Sequence, residues 1–296
     1  MKTTLNQCFP ILFAIAAAVF YALNMPFSKL LLGGVGSTML AGLLYVGAGV
    51  GTGLLYICQS RRIPPSEKLA RDDLLYTVLM VVLDIAAPIF LMLGLKSASA
   101  ANASLLNNFE IVATTIIARL IFGERVASRL WGAIGLITLS SAILSFEDIS
   151  GFSFSWGSLL ILAAATCWGL ENNCTRKLSE KNALEIVMIK GIFSGFGSVI
   201  IALLVGERLP DVKLIGAALL LGFVAYGLSI TFYVMAQKSL GAAKTSAYYA
   251  AAPFVGTFLS AVILKESLSA QYYLALGVML AGSALVVCDT LKGESK

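Results

Sequence analysis

Three acids and one base stand deep inside apolar stretches of this chain: Asp84, Glu110, Glu171 and Lys190. An ionisable side chain in hydrocarbon costs roughly 2.5–3.5 kcal/mol on insertion scales, so one that persists there faces a cavity or a partner. One lysine against three carboxylates leaves a formal deficit of two, which calls for a bound cation, for protons, or for both. Glu110 has no basic residue at its depth and is the first candidate for exchanging a proton against an ammonium group; Asp84 is the second. Glu171 and Lys190 fit a pair that meets a zwitterion's carboxylate or gates the inner side, and equally fit a plain buried ion pair between adjacent helices. Helical spacing sets Asn107 and Thr114 on the Glu110 face, and Trp168 and Thr175 on the Glu171 face. The faces of Tyr21, Trp168, Tyr226, Tyr248 and Tyr249 could hold an organic ammonium by cation–π contact, and Asn24 adds a polar group at similar depth.

Helices long enough for a bilayer must position these residues. The chain has 296 residues, of which 58% are apolar and 12% charged, with a mean hydropathy of +0.89; soluble domains carry roughly a quarter charged residues. Apolar stretches of about 20 residues run over 10–32, 37–58, 73–95, 99–122, 127–146, 156–176, 184–205, 213–236, 241–264 and 269–289. Ten transmembrane helices in an all-α membrane protein are therefore expected. The N-terminal stretch is longer than a signal-peptide core and reads as an uncleaved first helix.

The second half repeats the first. Residues 90–144 align without gaps on 232–286, with 13 of 55 positions identical, among them Lys96 on Lys238, Ala100-Ala101 on Ala242-Ala243 and Glu124 on Glu266. The same offset sets Asp84 on Tyr226 and Asn107 on Tyr249; a second alignment, Ala16 on Ala163, sets Asn24 on Glu171. Internal duplication in a membrane chain marks secondary transporters, which build a substrate site where the repeats meet. With the N-terminus cytoplasmic, fifteen Lys and Arg fall on the inner side and five on the outer, a positive-inside bias. Both termini are then cytoplasmic, and five helices per repeat, residues 1–148 and 149–296, force the second to be inverted.

Three prolines inside spans free carbonyls beside the candidate residues: Pro26 that of Ala22, Pro88 that of Asp84, and Pro253 that of Tyr249. Kinks there suit a wet cavity, and also suit simple packing. Pro10 opens the first helix. Gly47, Gly49, Gly51 and Gly53 form two overlapping GxxxG spacings without a following Lys-Ser/Thr, which reads as helix packing rather than a nucleotide loop. Cys8, Cys58, Cys167, Cys174 and Cys288 show no paired spacing and read as free thiols. Without histidine or a CxxC pair, no metal, cofactor or catalytic constellation is expected, and no enzyme. Lys96, Lys238, Glu124 and Glu266 read as interface or capping charges, with gating as the alternative.

Trp168-Gly169 with Arg176 in the sixth span, Tyr21-Ala22 with Lys29 in the first, and the segments Phe122-Gly123-Glu124 and Leu264-Lys265-Glu266 carry a resemblance. The chain resembles EamA-type members of the drug/metabolite transporter superfamily over nearly its whole length. Tyr-Ala in the first repeat departs from the Trp-Gly of the second. The resemblance implies a central cavity lined by spans 1, 3, 4, 6, 8 and 9, with spans 5 and 10 peripheral, and export or exchange of small organic solutes. Together these readings point to an alternating-access transporter in the cell inner membrane that exports small amine-bearing metabolites such as amino acids. The alternatives are a proton-coupled carrier of quaternary or other cationic compounds and, remotely, a channel. Its expected partners are a small-molecule substrate, membrane lipids and protons, with no nucleic acid, in a monomer or homodimer. The substrate residues would be Asn24, Asp84, Asn107, Glu110, Trp168, Glu171, Tyr226, Tyr248 and Tyr249; Glu110, Asp84, Glu171 and Lys190 would serve proton coupling or gating.

Overall fold

The computed structural model describes residues 2–59, 64, 68–121, 123, 128–148, 153–178, 181–240 and 248–293. Side chains are described for these except at 2–8, 128–130, 146–148, 153–154, 237–240 and 286–293. Among the described residues the regular structure is helical apart from one two-stranded antiparallel pairing, β1 (Phe146–Asp148) with β2 (Ser153–Phe154), in the connection between the halves of the chain. The first half forms α1 (Lys2–Ala22), α2 (Asn24–Leu31), α3 (Ser37–Gln59), α4 (Leu74–Ser97), α5 (Ala100–Leu106), α6 (Phe109–Leu120) and α7 (Ser128–Ser145). The second forms α8 (Trp156–Lys177), α9 (Ala183–Leu204), α10 (Val212–Gly222), a π-helical turn (Phe223–Leu228), α11 (Ser229–Leu240), α12 (Ala252–Leu264) and α13 (Ala270–Gly293).

Among the described residues, five stretches are long and apolar enough to cross a bilayer: Phe9–Leu31, Ser37–Gln59, Arg71–Ser97, Ala183–Leu204 and Val212–Ala236. Shorter apolar helices cover Trp131–Ser145, Ala252–Leu264 and Ala270–Leu285. The protein is a helical membrane protein. Of the ten expected spans, 99–122 is broken in the middle, and 156–176 is a single helix made polar by Glu171, Asn172 and Asn173. Phe196, Phe193, Ile200 and Leu204 on α9 and Leu120 on α6 are exposed, as apolar side chains facing lipid are.

Local chemistry sets the boundaries. The Ser99 hydroxyl accepts from Asn102 N (3.0 Å) at the start of α5, and Asn182 Oδ1 accepts from Leu184 N (3.0 Å) at the start of α9. Pro26 and Pro253 lie in the first turns of α2 and α12, where a missing N–H costs nothing because that donor has no helical partner. The kinks expected at these two prolines are thus helix starts following a break. Pro88, by contrast, lies inside the unbroken α4. Pro10 lies inside α1 instead of opening it, since nothing in the Lys-Thr-Thr-Leu-Asn-Gln-Cys run before it stops a helix.

Small residues draw the helices together. The two GxxxG spacings of α3 serve different neighbours: Gly49 and Gly53 meet α9, while Gly47 and Gly51 meet α10 and the π turn. A Cβ at Gly49 would lie 2.4 Å from Ile192 N, and one at Gly47 would lie 2.1 Å from the Leu219 carbonyl oxygen. Backbone contact this close holds α3 in the interior and carries Tyr45 to the centre of the bundle.

Candidate substrate site

Asp84 on α4, Glu171 on α8 and Lys190 on α9 converge on one point. Lys190 Nζ lies 3.0 Å from Asp84 Oδ2 and 3.2 Å from Glu171 Oε1. All three are desolvated, at 0%, 3% and 6% exposure. Thr175, one turn beyond Glu171, donates to the same Glu171 oxygen. Tyr45 donates its hydroxyl to Asp84 Oδ1 (2.8 Å) and accepts from Trp168 Nε1 (3.3 Å). The expected Glu171–Lys190 pair is therefore a triad, with one ammonium between two carboxylates.

Glu110 lies in the first turn of α6, at the break in the middle of 99–122, because α5 and α6 separate at Asn107-Asn108. The break closes through tight turn bonds, Asn108 N to Leu105 O (3.1 Å) and Glu110 N to Asn107 O (3.0 Å). Glu110 is half-buried, makes no ion pair among the described residues, and accepts from Asn172 Nδ2, which also reaches Thr114 Oγ1 (3.4 Å). Asn173 donates to the carbonyls of Gly169 (2.8 Å) and Thr114 (3.1 Å), tying α8 to α6. Gly169 makes that approach possible, since a Cβ there would lie 2.5 Å from the Ala113 Cβ.

An aromatic cluster faces the charged one. Tyr226 lies in the π turn, a helical irregularity frequent at functional positions. Its ring lies 5.1 Å from that of Tyr45 and 5.9 Å, edge-on, from that of Tyr21. Tyr249 is 5.9 Å from Tyr21 and 5.0 Å from Tyr233. Asn24 Nδ2, fully buried, donates to the Tyr226 hydroxyl (2.8 Å), and Asn107 Nδ2 donates to the Tyr21 hydroxyl (3.0 Å). Tyr248 is half-buried, and no ring contact or hydrogen bond draws it into the cluster among the described residues. A narrow cavity between the α1–α2 break, the α5–α6 break and the start of α12 is lined by Tyr21, Met25, Ser104, Asn107 and Pro253. Ser104 Oγ and Asn107 Oδ1, both buried, have no hydrogen-bond partner among the described residues.

Charged side chains tie helix ends to one another. Glu266 accepts from Ala100 N (2.9 Å) and Ala101 N (3.0 Å), capping α5, and Glu207 accepts from Thr38 N (3.1 Å) and Met39 N (2.7 Å), capping α3. Lys29 donates to the carbonyls of Leu95 (2.5 Å) and Ala98 (2.6 Å) at the end of α4. Glu266 is thus a capping charge. Lys96 is exposed, and Glu124 and Lys238 lie outside the residues with described side chains. Cys58, Cys167 and Cys174 are free; Cys8 and Cys288 lie outside the same set.

Tyr45 and the bond between Asn172 and Glu110 went unread in the sequence. A clue to Tyr45 is its place among Gly42, Gly47, Ala48 and Gly49, where small residues bring a helix inside the bundle; the clue to Asn172 is its position next to Glu171.

Apolar helices packed around a desolvated cluster of charge define a polytopic membrane protein. The chain belongs to the EamA-like transporter family, whose model matches residues 9–146 and 155–288. It is 26% identical over 289 residues to an uncharacterized transporter of Methanothermobacter thermautotrophicus, covering 90% of this chain and 83% of that one. It is 24% identical over 260 residues to the uncharacterized inner membrane transporter YedA of Escherichia coli K12, covering 84% of this chain and 80% of YedA. A crystal structure with 18% identity superimposes with a TM-score of 0.69 over 94% of this chain and 96% of its own, a likeness of fold. The protein is a transporter and not an enzyme.

Proposed function

We propose that the protein exports small amine-bearing metabolites, amino acids among them, by alternating access through a cavity between two five-helix repeats, residues 1–148 and 149–296. The chain crosses the cell inner membrane ten times, the second repeat is inverted relative to the first, and both termini are cytoplasmic. The positive-inside count supports the orientation, and the two successive matches to one family model support the repeat. So does a shared turn: Gly123 (φ 68°) and Lys265 (φ 51°), aligned by the repeat, both adopt the left-handed conformation just before Glu124 and Glu266.

The observation that carries the substrate class is the excess of buried acid beside a ring cluster. Asp84 and Glu171 share one lysine, Glu110 has none among the described residues, and Trp168, Tyr226 and Tyr249 lie within or next to the same network. An ammonium group satisfies both walls, the carboxylates by charge-assisted hydrogen bonds and the rings by cation–π contact. Asn24 and Asn107 hold the tyrosine hydroxyls in place. Glu110 and Asp84 exchange protons against the amine, while Glu171 and Lys190 meet a zwitterion's carboxylate or gate the inner side. A second reading, a proton-coupled carrier of quaternary or other cationic compounds, draws on the rings alone.

The test is a thermal-shift screen of the purified protein against amino acids, primary amines, quaternary ammonium compounds and organic anions. A ligand at 100 times its Kd adds about 2.7 kcal/mol of apparent stability. Stabilisation by amino acids or primary amines, followed by saturable counter-transport in proteoliposomes, is expected. A response to quaternary compounds alone selects the second reading, and a response confined to anions sinks both. Topology has its own check: a single cysteine at Ser150 should label from outside, and those at Ser66 and Ser179 from inside.

A further inference from the structure

We infer that the Asp84–Glu171 carboxylate pair is an ammonium-binding subsite and that Lys190 is its resident, tethered occupant, displaced when a substrate ammonium enters and returned when it leaves. The inference rests on the amine reading above and adds how the empty carrier behaves.

The geometry is that of a bound ligand rather than a surface ion pair. One ammonium bridges oxygens of two carboxylates on two different helices, at 3.0 and 3.2 Å. The pair is organised independently of the lysine: Tyr45 fixes the other Asp84 oxygen from α3, and Thr175 holds Glu171 from its own helix. Apart from the lysine, Asp84 Oδ2 has no hydrogen-bond partner among the described residues. Lys190 reaches this point from α9 on a flexible four-carbon stem with three rotatable donors, so its head can withdraw without moving a helix. Arginine, with its rigid fork, could not vacate the place as simply.

The consequence is kinetic. An alternating-access carrier that releases substrate without taking up another must return through its occluded state empty. Two buried carboxylates with no cation would make the empty passage costly, because one partner of a buried pair left alone is strongly destabilising. A tethered ammonium supplies the cation on the return trip. The wild type can then release substrate into a medium that holds none, whereas a carrier without the lysine is confined to exchange.

The probe is n-propylammonium, whose chain and head replace what Lys190→Ala deletes, with the full chain in lipid nanodiscs. Lys190→Ala should be stabilised saturably by n-propylammonium, with an apparent affinity at least tenfold above that of the wild type. Tetramethylammonium, which has no N–H to donate, should do little, and Asp84→Asn in the same chain should remove the response. A merely structural ion pair could be repaired in the same way, so flux decides. Proteoliposomes loaded with radiolabelled n-propylammonium should lose label to an amine-free medium when they carry the wild type. With Lys190→Ala they should lose it only when unlabelled n-propylammonium is outside. Equal net release by both forms, no saturable binding by Lys190→Ala, or a wild type that moves no n-propylammonium in either mode overturns the inference. Should Lys190→Ala fold only with n-propylammonium present, that dependence supports the subsite, and Lys190→Gln takes its place in the flux comparison. Failure of the amine reading shows separately, as an amino acid and amine screen in which nothing binds the wild type.

Discussion

Around α4, α8 and α9 the interior is built on charge; around α1, α11 and α12 it is built on rings. The two walls come from related positions. Asp84, salt-bridged on α4, aligns with Tyr226, a ring in the π turn; Glu171, salt-bridged on α8, aligns with Asn24, a neutral donor on α2. The backbone diverges as well: Pro88 follows Asp84 within a continuous helix, while the segment around Tyr226 takes a π turn without any proline. At each aligned pair one position holds an ion and its mate a ring or a neutral amide, and both halves of the chain contribute to both walls. The walls touch through Tyr45, bonded to Asp84 and packed on Tyr226.

The largest expected effect comes from breaking the charged wall. Lys190→Met leaves Asp84 and Glu171 buried together without a cation and should cost about 3–5 kcal/mol, read as earlier unfolding of the purified protein. Adding Asp84→Asn should return a large part of that loss, because one of the stranded charges is gone. If Lys190→Met unfolds like the wild type, the triad is hydrated and the contrast between the walls is false.

The contact between walls comes next. Tyr45→Phe removes the donor to Asp84 Oδ1 and the acceptor for Trp168 Nε1 while keeping the ring on Tyr226. A buried carboxylate oxygen left without its donor costs roughly 1–3 kcal/mol. Combined with Lys190→Met the losses should not add, since both act on Asp84. Strict additivity in that double-mutant cycle would separate Tyr45 from the charged wall.

How much of this could be read beforehand follows the same division. Charge in an apolar span is conspicuous, so Asp84, Glu110, Glu171 and Lys190 could be picked out one by one, and the Glu171–Lys190 pair was open from their shared depth. That Asp84 joins them depends on the angle at which α4 meets α9, which periodicity does not carry. Long apolar runs show the helices but not the break at Leu23, which apolar neighbours hide; Asn107-Asn108 and Glu110 stand out as polar within 99–122, yet polarity alone does not say that a helix ends there. Pro26 and Pro253 were visible as disturbances; whether a proline bends a helix or starts one depends on its neighbours in space. Tyr45 was hidden because tyrosine in a span is ordinary, and only the glycine seams of α3 make its position central.

On the aromatic wall the effects are smaller. Tyr226→Phe keeps the ring contacts with Tyr21 and Tyr45 and removes only the acceptor for Asn24 Nδ2. One net hydrogen bond is worth about 0.5–1.5 kcal/mol, so the thermal midpoint should move less than in Tyr45→Phe. A loss as large as that of Lys190→Met would mean that Asn24 and Tyr226 organise the whole site and that the ring wall is the more stringent of the two.

Glu110→Gln should change the fold least, and it sharpens the comparison most. Glu110 belongs to the charged side by position, yet among the described residues no cation pairs with it, and its carboxylate accepts from Asn172. Glutamine keeps the length and the acceptor oxygen for the Asn172 amide, so stability should stay within about 0.5 kcal/mol, as for a substitution that breaks no buried pair. Transport has no such reserve. A glutamine can neither release a proton nor neutralise an ammonium, so counter-transport in proteoliposomes, or its pH dependence, should disappear. A stable Glu110→Gln protein with wild-type flux and an unchanged pH response would move the exchanging carboxylate to Asp84. The triad would then hold both the structural and the transported charge. Loss of flux with the fold intact would instead separate two kinds of buried acid within one wall, the pair that grips Lys190 and the one left available to the solute.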